Sequence, residues 1–289
     1  MLAAYPHAPM PQLDAARPMS ARTGAAWSRN ASSDLRGGAA GTTVRALSAL
    51  EILALLVGAA IWEALGWSLR LQWLPPFSKV MTALLQFVES GAILANIGVS
   101  LQGLIIGFSL SLVMGLVVGA LMGRYRYVEK ALDVYVHALF VCPSIVFAPI
   151  FFAIFGLSDS ARIAIIVVYS MFVIVINTAT AIRTVDPSLV EMARSFGCRE
   201  RQIFARILLP ASLPLVFAGI RLGMGRAVKG MINGEMLIAF VGLGALAQRY
   251  GAQFDAAKVF AIAMVVLIIG LVMNWLVQML DHRFTSWVN

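Results

Sequence analysis

Five polar side chains, Arg221, Arg226, Lys229, Asn233 and Glu235, interrupt an apolar stretch that also carries Gly219, Gly223, Gly225, Gly230 and Gly234. A charge at bilayer depth is costly unless it faces a bundle interior or water. At about 100° per residue, Arg226 shares a face with Gly219 and Gly223, and Lys229 and Asn233 lie close by. This face is therefore expected to pack inward. Two chemistries suit it. Arg226 and Lys229 form a structural ion pair with Glu235 or with helix carbonyls, or they contact a passing anion. Arg221 is close enough to a polar loop to snorkel to the surface.

A second polar segment, Glu191 to Gly197 followed by Ile207-Leu208-Leu209-Pro210, lies between long apolar runs. Glu191 to Phe196 are good helix formers, and Gly197 is suited to the left-handed conformation that ends a helix. Arg199 to Leu208 then form a second, amphipathic helix, which Pro210 is expected to stop. Two short helices at an angle make a knob, a shape that fits a socket on a partner. Other chemistries find little support. His7, His137 and His282 are far apart with no ligand spacing, and Cys142 and Cys198 are expected to be free thiols, so no metal site is predicted. A membrane enzyme would need a polar cluster at depth. A channel or secondary transporter often carries coupling-ion carboxylates in broken helices, and Glu235 alone would fill that role.

These residues are held by membrane helices. Hydrophobic residues make up 60% and charged residues 12%, against about 25% charged in a soluble domain. Mean hydropathy is +0.86. The net charge of +8 is scattered among loops and marks no nucleic-acid face. The fold class is all-α and polytopic. Residues 1–45 are Ala-, Pro-, Ser- and Arg-rich and are expected to be a disordered basic cytoplasmic tail. Residues 46–289 form the transmembrane domain.

A crossing needs about 20 residues, and six are expected. They are Ala46 to Leu65, Asn96 to Met122, Leu132 to Phe155 with Pro143 and Pro149 inside, Ile163 to Ile182, Pro214 to Leu246, and Ala257 to Leu280. The third is either a broken helix lining a pathway or a proline-kinked helix. With the tail inside, Arg124, Arg126, Lys130, Arg183, Arg194, Arg199, Arg201, Arg206 and Arg283 all fall in the cytoplasm, as the positive-inside rule requires. Both termini, and the loop at about 184–213, are then cytoplasmic. The second crossing carries Gly103, Gly107, Ser111, Gly115, Gly119 and Gly123, a stripe suited to close helix contact.

The Glu-x-Ala, three residues, Gly, nine residues, Ile-x-Leu-Pro spacing resembles the "EAA" coupling loop of binding-protein-dependent ABC importer permeases, with Met192 where alanine is usual. From about Leu74 onward the chain resembles their nitrate/sulfonate/taurine branch. The motifs are Leu74-Pro75-Pro76-Phe77-Ser78-Lys79, Pro143-Ser144-Ile145, Phe155-Gly156-Leu157-Ser158, Val185-Asp186-Pro187, Gly234-Glu235-Met236-Leu237 and Gly242-Leu243-Gly244.

The resemblance implies that Glu191, Ala193, Gly197, Ile207, Leu209 and Pro210 couple to an ATPase, and that Glu191 positions the loop. It implies a homodimer in the lipid of a bacterial inner membrane, two separate ATPase subunits and a solute-binding protein. Such a permease is not an enzyme. This chain has no Gly-x-x-x-x-Gly-Lys-Ser/Thr loop and is expected to hold no cofactor or metal, so ATP-Mg belongs to the partners. The expected solute is a small anion such as a sulfonate, taurine or nitrate, and the alternative is a neutral or cationic vitamin-precursor-like molecule. Arg226, Lys229, Asn233 and Glu235 are the candidate pathway residues.

Overall fold

The computed structural model describes residues 39–69, 71, 73–238 and 240–285. Most of the expected tail, residues 1–38, lies outside them. Two compact units divide after Ala60. In the first, the described residues belong to helix α1 (Ala39–Leu69), so positions 39–45, expected in the tail, are helical. Once a helix has nucleated, adding a residue at its end costs little. Exposed Leu53, Leu55 and Leu56 give this stretch a lipid-compatible surface, and Ile52–Leu69 is long and apolar enough to cross a membrane.

The second unit opens on the last residues of α1, which grip the Leu74–Lys79 segment. Trp62 donates its indole N–H to the Pro75 carbonyl at 3.1 Å. Glu63 accepts from the Ser78 N–H at 2.9 Å and from its hydroxyl at 2.8 Å. These bonds satisfy the start of α2 (Phe77–Glu89), whose own N-cap, Pro76, offers no side-chain acceptor. A Cβ on Gly66 would lie 2.6 Å from Pro76 Cα, so only glycine lets the two segments touch.

Helix α3 (Ala92–Arg124) and helix α6 (Asp159–Arg183) form the centre. The small-residue stripe of α3 packs against α6 in fixed register. Position 107 meets 166, 115 meets 174, 119 meets 178 and 123 meets 182, a constant offset of 59. Between them, Ser111 and Ser170 share a 2.7 Å hydrogen bond. A constant offset means that the helices run parallel, so the chain between them must return to the end where α3 began.

That return is made by a bent pair. Helix α4 (Arg126–Val141) and a 3-10 turn at Ser144–Phe147 leading into α5 (Ala148–Phe155) meet at 98°. Pro143 holds Cys142 extended (ψ 130°), as a following proline requires, and Pro149 sits harmlessly in the first turn of α5. The third expected crossing is thus a broken helix. Among the described residues, five helices are long and apolar enough to span, six if the bent pair counts as one, and there is no strand.

After the loop comes α9 (Leu209–Ile238), which runs antiparallel to α6: 219 faces 177, 223 faces 174, 230 faces 166 and 169, and 234 faces 162 and 165. The fifth expected crossing, Pro214 to Leu246, therefore divides, because α9 ends at Ile238 and α10 (Gly242–Ala252) follows a break. Helix α11 (Ala256–Thr285) closes the bundle. Val80 and Phe87 of α2, Leu243 of α10 and Ile262 of α11 share a core at the end away from the 184–208 loop.

At Gly119 a Cβ would lie 2.7 Å from the Val175 carbonyl oxygen, a backbone atom with no room to move. Gly119→Val should cost about 1–3 kcal/mol of packing and lower the melting temperature of the purified protein. Gly98→Ala, where a Cβ meets nothing within 4 Å, should leave it unchanged.

Candidate functional site

The loop folds as a knob of two helical pieces. Helix α7 (Pro187–Ser195) starts at Asp186, whose carboxylate accepts the Ser188 N–H at 2.9 Å. That backbone hydrogen bond holds the Asp186 carboxyl below its usual pKa. At the other end, Gly197 takes φ +74°. The Cys198 N–H reaches the Ala193 carbonyl at 3.0 Å and the Gly197 N–H the Arg194 carbonyl at 2.9 Å. This paired pattern is the Schellman close of a helix, as the sequence reading expected of Gly197.

The second piece departs from expectation. Helix α8 (Glu200–Ile203) is a single turn, followed by a π-helical turn over Phe204–Leu208 that runs directly into α9. Pro210 does not stop the helix. A proline in an α-helix collides with the carbonyl four residues back. The wider π turn relieves this, and the Leu209 N–H bonds five residues back, to the Phe204 carbonyl.

The knob's small core joins Ala193, Ile203 and Leu208, flanked by Val190, Phe204 and Ile207. Of the expected coupling residues, Ala193 is buried, Ile207 and Pro210 are half-buried, and Glu191 and Leu209 are exposed. Ile203 and Leu208 were missed as anchors, although their five-residue spacing is the one that a π turn aligns. Glu200 was missed too. It pairs with Arg194 at 3.1 Å and with Arg124 at the end of α3, so this acid ties the knob to the bundle. Phe196 stands 81% exposed at the tip, beside exposed Met192. A cavity of about 450 Å³ between Leu121, Arg124, Tyr125, Glu200 and Phe204 lies where the knob meets α3.

Helix α9 separates its polar residues onto different faces. Its buried arc runs through Ile220, Gly223, Ala227, Met231 and Gly234. Arg226 lies beyond the edge of this arc and Lys229 nearly opposite it, and both are exposed. The expected inward packing of these two cations is therefore corrected. Gly219 and Gly223 do face α6, and Arg226 falls just past Gly219, outside the buried arc. The Arg226 guanidinium stacks 5.2 Å from the Phe140 ring centre. Lys229, Arg221 and Arg226 line a groove of about 550 Å³ with Leu267 and Asn274 of α11. The helix register puts Gly230 level with Ile166 and Ile166 level with Gly107, so Lys229 lies about midway along α3. Asn233 is half-buried and donates to the Tyr169 hydroxyl at 2.8 Å.

Glu235 is fully buried and far from this groove in role. It accepts from the Ser100 hydroxyl at 2.9 Å and the Gly244 N–H at 2.9 Å, and faces the Arg162 guanidinium at 3.4 Å. Of the two readings given for Arg226 and Lys229, the ion pair with Glu235 is not the one formed: Glu235 pairs with Arg162, which lies one position before the expected crossing Ile163 to Ile182. Among the described residues no group of three His, Cys, Asp or Glu side chains is placed to hold a metal.

Residues 111–286 match the family model described as "Binding-protein-dependent transport system inner membrane component". The Bacillus subtilis putative aliphatic sulfonates transport permease SsuC is 28% identical over 232 residues, covering 80% of this chain and 84% of its own. The Halalkalibacterium halodurans formylaminopyrimidine transport permease ThiX is 32% identical over 182 residues, covering 63% and 73%. The Synechococcus elongatus nitrate import permease NrtB is 26% identical over 250 residues, covering 82% and 87%. Among solved structures, an inward-facing form of the MetNI methionine ABC transporter superposes with a TM-score of 0.54 at 19% identity, covering 67% of this chain and 94% of that one. At that identity the likeness speaks for the fold.

The knob's shape depends on the left-handed Gly197. Valine strongly disfavours positive φ, whereas asparagine tolerates it. Gly197→Val should open the knob to limited proteolysis between Arg194 and Arg201, and Gly197→Asn should leave the cleavage pattern near that of the parent.

Proposed function

The chain belongs to the family of binding-protein-dependent transport system inner membrane components, the permeases of ABC importers, and from that premise we propose that it carries a small anion of the sulfonate, taurine or nitrate kind. The single observation behind the choice of an anion is the exposure of Lys229 and Arg226 midway along the bundle. Charge at that depth is not stable against lipid and calls for water or a protein neighbour. A second copy of the chain, packed so that this face lines a shared passage, meets the requirement. The passage then holds a positive potential that lowers the cost of moving an anion through a low-dielectric region. Asn233, one turn beyond Lys229 on α9, adds a neutral donor held by Tyr169.

The remaining parts follow from that arrangement. Two separate ATPase subunits dock on the knob, where Phe196 and Met192 stand exposed over a core that keeps them in place. A solute-binding protein delivers the anion at the opposite end. ATP closes the ATPase dimer, the knobs approach each other, and the bundle opens outward. The basic residues Arg124, Arg126, Lys130, Arg183, Arg194, Arg199, Arg201 and Arg206 cluster at the knob end, which supports a cytoplasmic knob and cytoplasmic termini. One observation favours a second reading, a neutral or cationic pyrimidine-like solute: the formylaminopyrimidine permease is among the relatives.

Two experiments test these points. Lys229→Gln should lower uptake of the anion by about tenfold, roughly 1.4 kcal/mol, while Lys229→Arg retains it. The melting temperature should hold in both, because Lys229 is exposed in the chain. Unchanged uptake in Lys229→Gln would remove Lys229 from the passage, and uptake competed by an aminopyrimidine but not by a sulfonate would favour the second reading. For orientation, Ser195→Cys and Ser158→Cys in a background lacking Cys142 and Cys198 should react from opposite sides of the membrane. Labelling of both by an impermeant reagent outside intact cells would contradict the arrangement.

A further inference from the structure

Glu200–Ile238 is one helical rod of 39 residues. It begins inside the knob, where Ile203 and Leu208 anchor it, and passes through the π turn into α9. Glu235, at about 1.5 Å per residue, lies roughly 50 Å from Glu200. The two ends of one rod thus sit at opposite ends of the bundle.

At the far end, the start of α10 is fastened to that rod by a closed set of contacts. The Gly244 N–H donates to Glu235 and the Leu243 N–H to the Ser100 hydroxyl, each at 2.9 Å. Ser100 in turn donates to Glu235 at 2.9 Å. Arg162 bridges Glu235 at 3.4 Å and Asp159 at 3.0 Å. Ser100 and Glu235 are 0% exposed and Arg162 3%. The fit admits no other side chains. A Cβ on Gly242 would lie 2.3 Å from the Glu235 carboxyl carbon, and one on Gly244 2.6 Å from the Glu235 Cβ. Gly242 also takes φ +86°. Further along α10 the packing is looser, with a groove of about 510 Å³ lined by Ile232, Met236, Ala247, Val259 and Ile262.

Stability alone does not account for this arrangement. Burying an ion pair is seldom more stable than packing apolar groups of the same size, and the Arg162 Nε–H has no partner among the described residues. What the cluster supplies is register. It ties Glu235, on the rod, to the first amides of α10, and braces both against α3 through Ser100 and against α6 through Arg162.

We propose that Ser100, Glu235 and Arg162 form a latch that makes α10 move with the rod, so that displacement of the knob reaches the opposite end of the bundle and opens or closes the passage there. The three are positioning residues; none touches the solute. Glu235, expected from sequence to line the pathway, is reassigned to this role. The latch rests on the reading of the knob as the ATPase dock.

The test uses the full complex, with its ATPase subunits and binding protein, in proteoliposomes, and reads uptake per ATP hydrolysed. In Glu235→Gln and Ser100→Ala the ATPase subunits should still co-purify and hydrolyse ATP, while uptake per ATP falls by about tenfold, within the usual span of coupling between sites. A ratio within about twofold of the parent overturns the latch. Ser100→Ala removes one hydroxyl and leaves the ion pair, so it supplies the ratio if Glu235→Gln does not assemble. If both variants lose complex and the remainder couples normally, the cluster is packing only and the proposal fails. The knob reading fails separately, if Gly197→Val leaves co-purification of the ATPase subunits and coupled uptake intact.

Discussion

Helices in lipid gain nothing from hiding apolar surface from each other, so their association has to come from close packing and polar contacts. Everything in this chain depends on how α6 meets that constraint. Gly107, Gly115, Gly119 and Gly123 of α3 meet it on one side and Gly219, Gly223 and Gly230 of α9 on the other, each at distances that a Cβ would forbid. The first contact is parallel and the second antiparallel, and both are in fixed register. Once those registers are set, the levels of other residues follow. Lys229 falls at mid-bundle, Arg162 meets Glu235 near one end, and the knob emerges at the other.

The same packing explains which charges are buried and which are not. Glu235 lies where α3, α6, α9 and α10 converge, so its charge is met by Arg162 and two hydrogen-bond donors. Arg226 and Lys229 lie on the part of α9 that the glycine contact leaves uncovered. One carries partial compensation from the Phe140 ring; the other borders an open groove. Burial without a partner is what a charge cannot sustain at this depth, and neither cation is buried. Their exposure in the single chain is thus the expected state for residues completed by a neighbour or by water.

Much of this was legible in the residues. Apolar length gave five of the helices, the four-residue spacing of small residues on α3 announced its contact, and Gly197 announced the turn that closes α7. The features that escaped were those set by two segments together. The sequence reading put Arg226 inward because Gly219 and Gly223 share its side of the helix; those glycines do meet α6, but the buried arc extends from them the other way, through Ala227 and Met231, and leaves Arg226 just outside its edge. Pro210 read as a stop because proline breaks an α-helix; a π turn removes the collision, and nothing local in the sequence marks it. Arg162 falls one position before the expected crossing Ile163 to Ile182 and so counts, by apolar length alone, as a charge outside it. Its burial follows from a partner 73 positions away.

The π turn and the latch together suggest how a membrane bundle combines a mobile end with a rigid course. On the proposed reading the knob follows an ATPase and needs freedom to do so, and π turns are frequent at functional sites inside helices. Beyond Leu208 the rod meets α6 through Gly219, Gly223 and Gly230, contacts too close for it to bend independently of its neighbour. Under the proposed latch, motion introduced at the knob is carried along α9 together with α6, and the place where it becomes visible is the far end, where α9 stops and α10 begins. A glycine pair and a buried carboxylate occupy that point. An apolar plug would have filled the same space, but without direction. A carboxylate aimed at the Gly244 amide, with Arg162 and Ser100 fixing its two oxygens, permits one orientation of the elbow between α9 and α10.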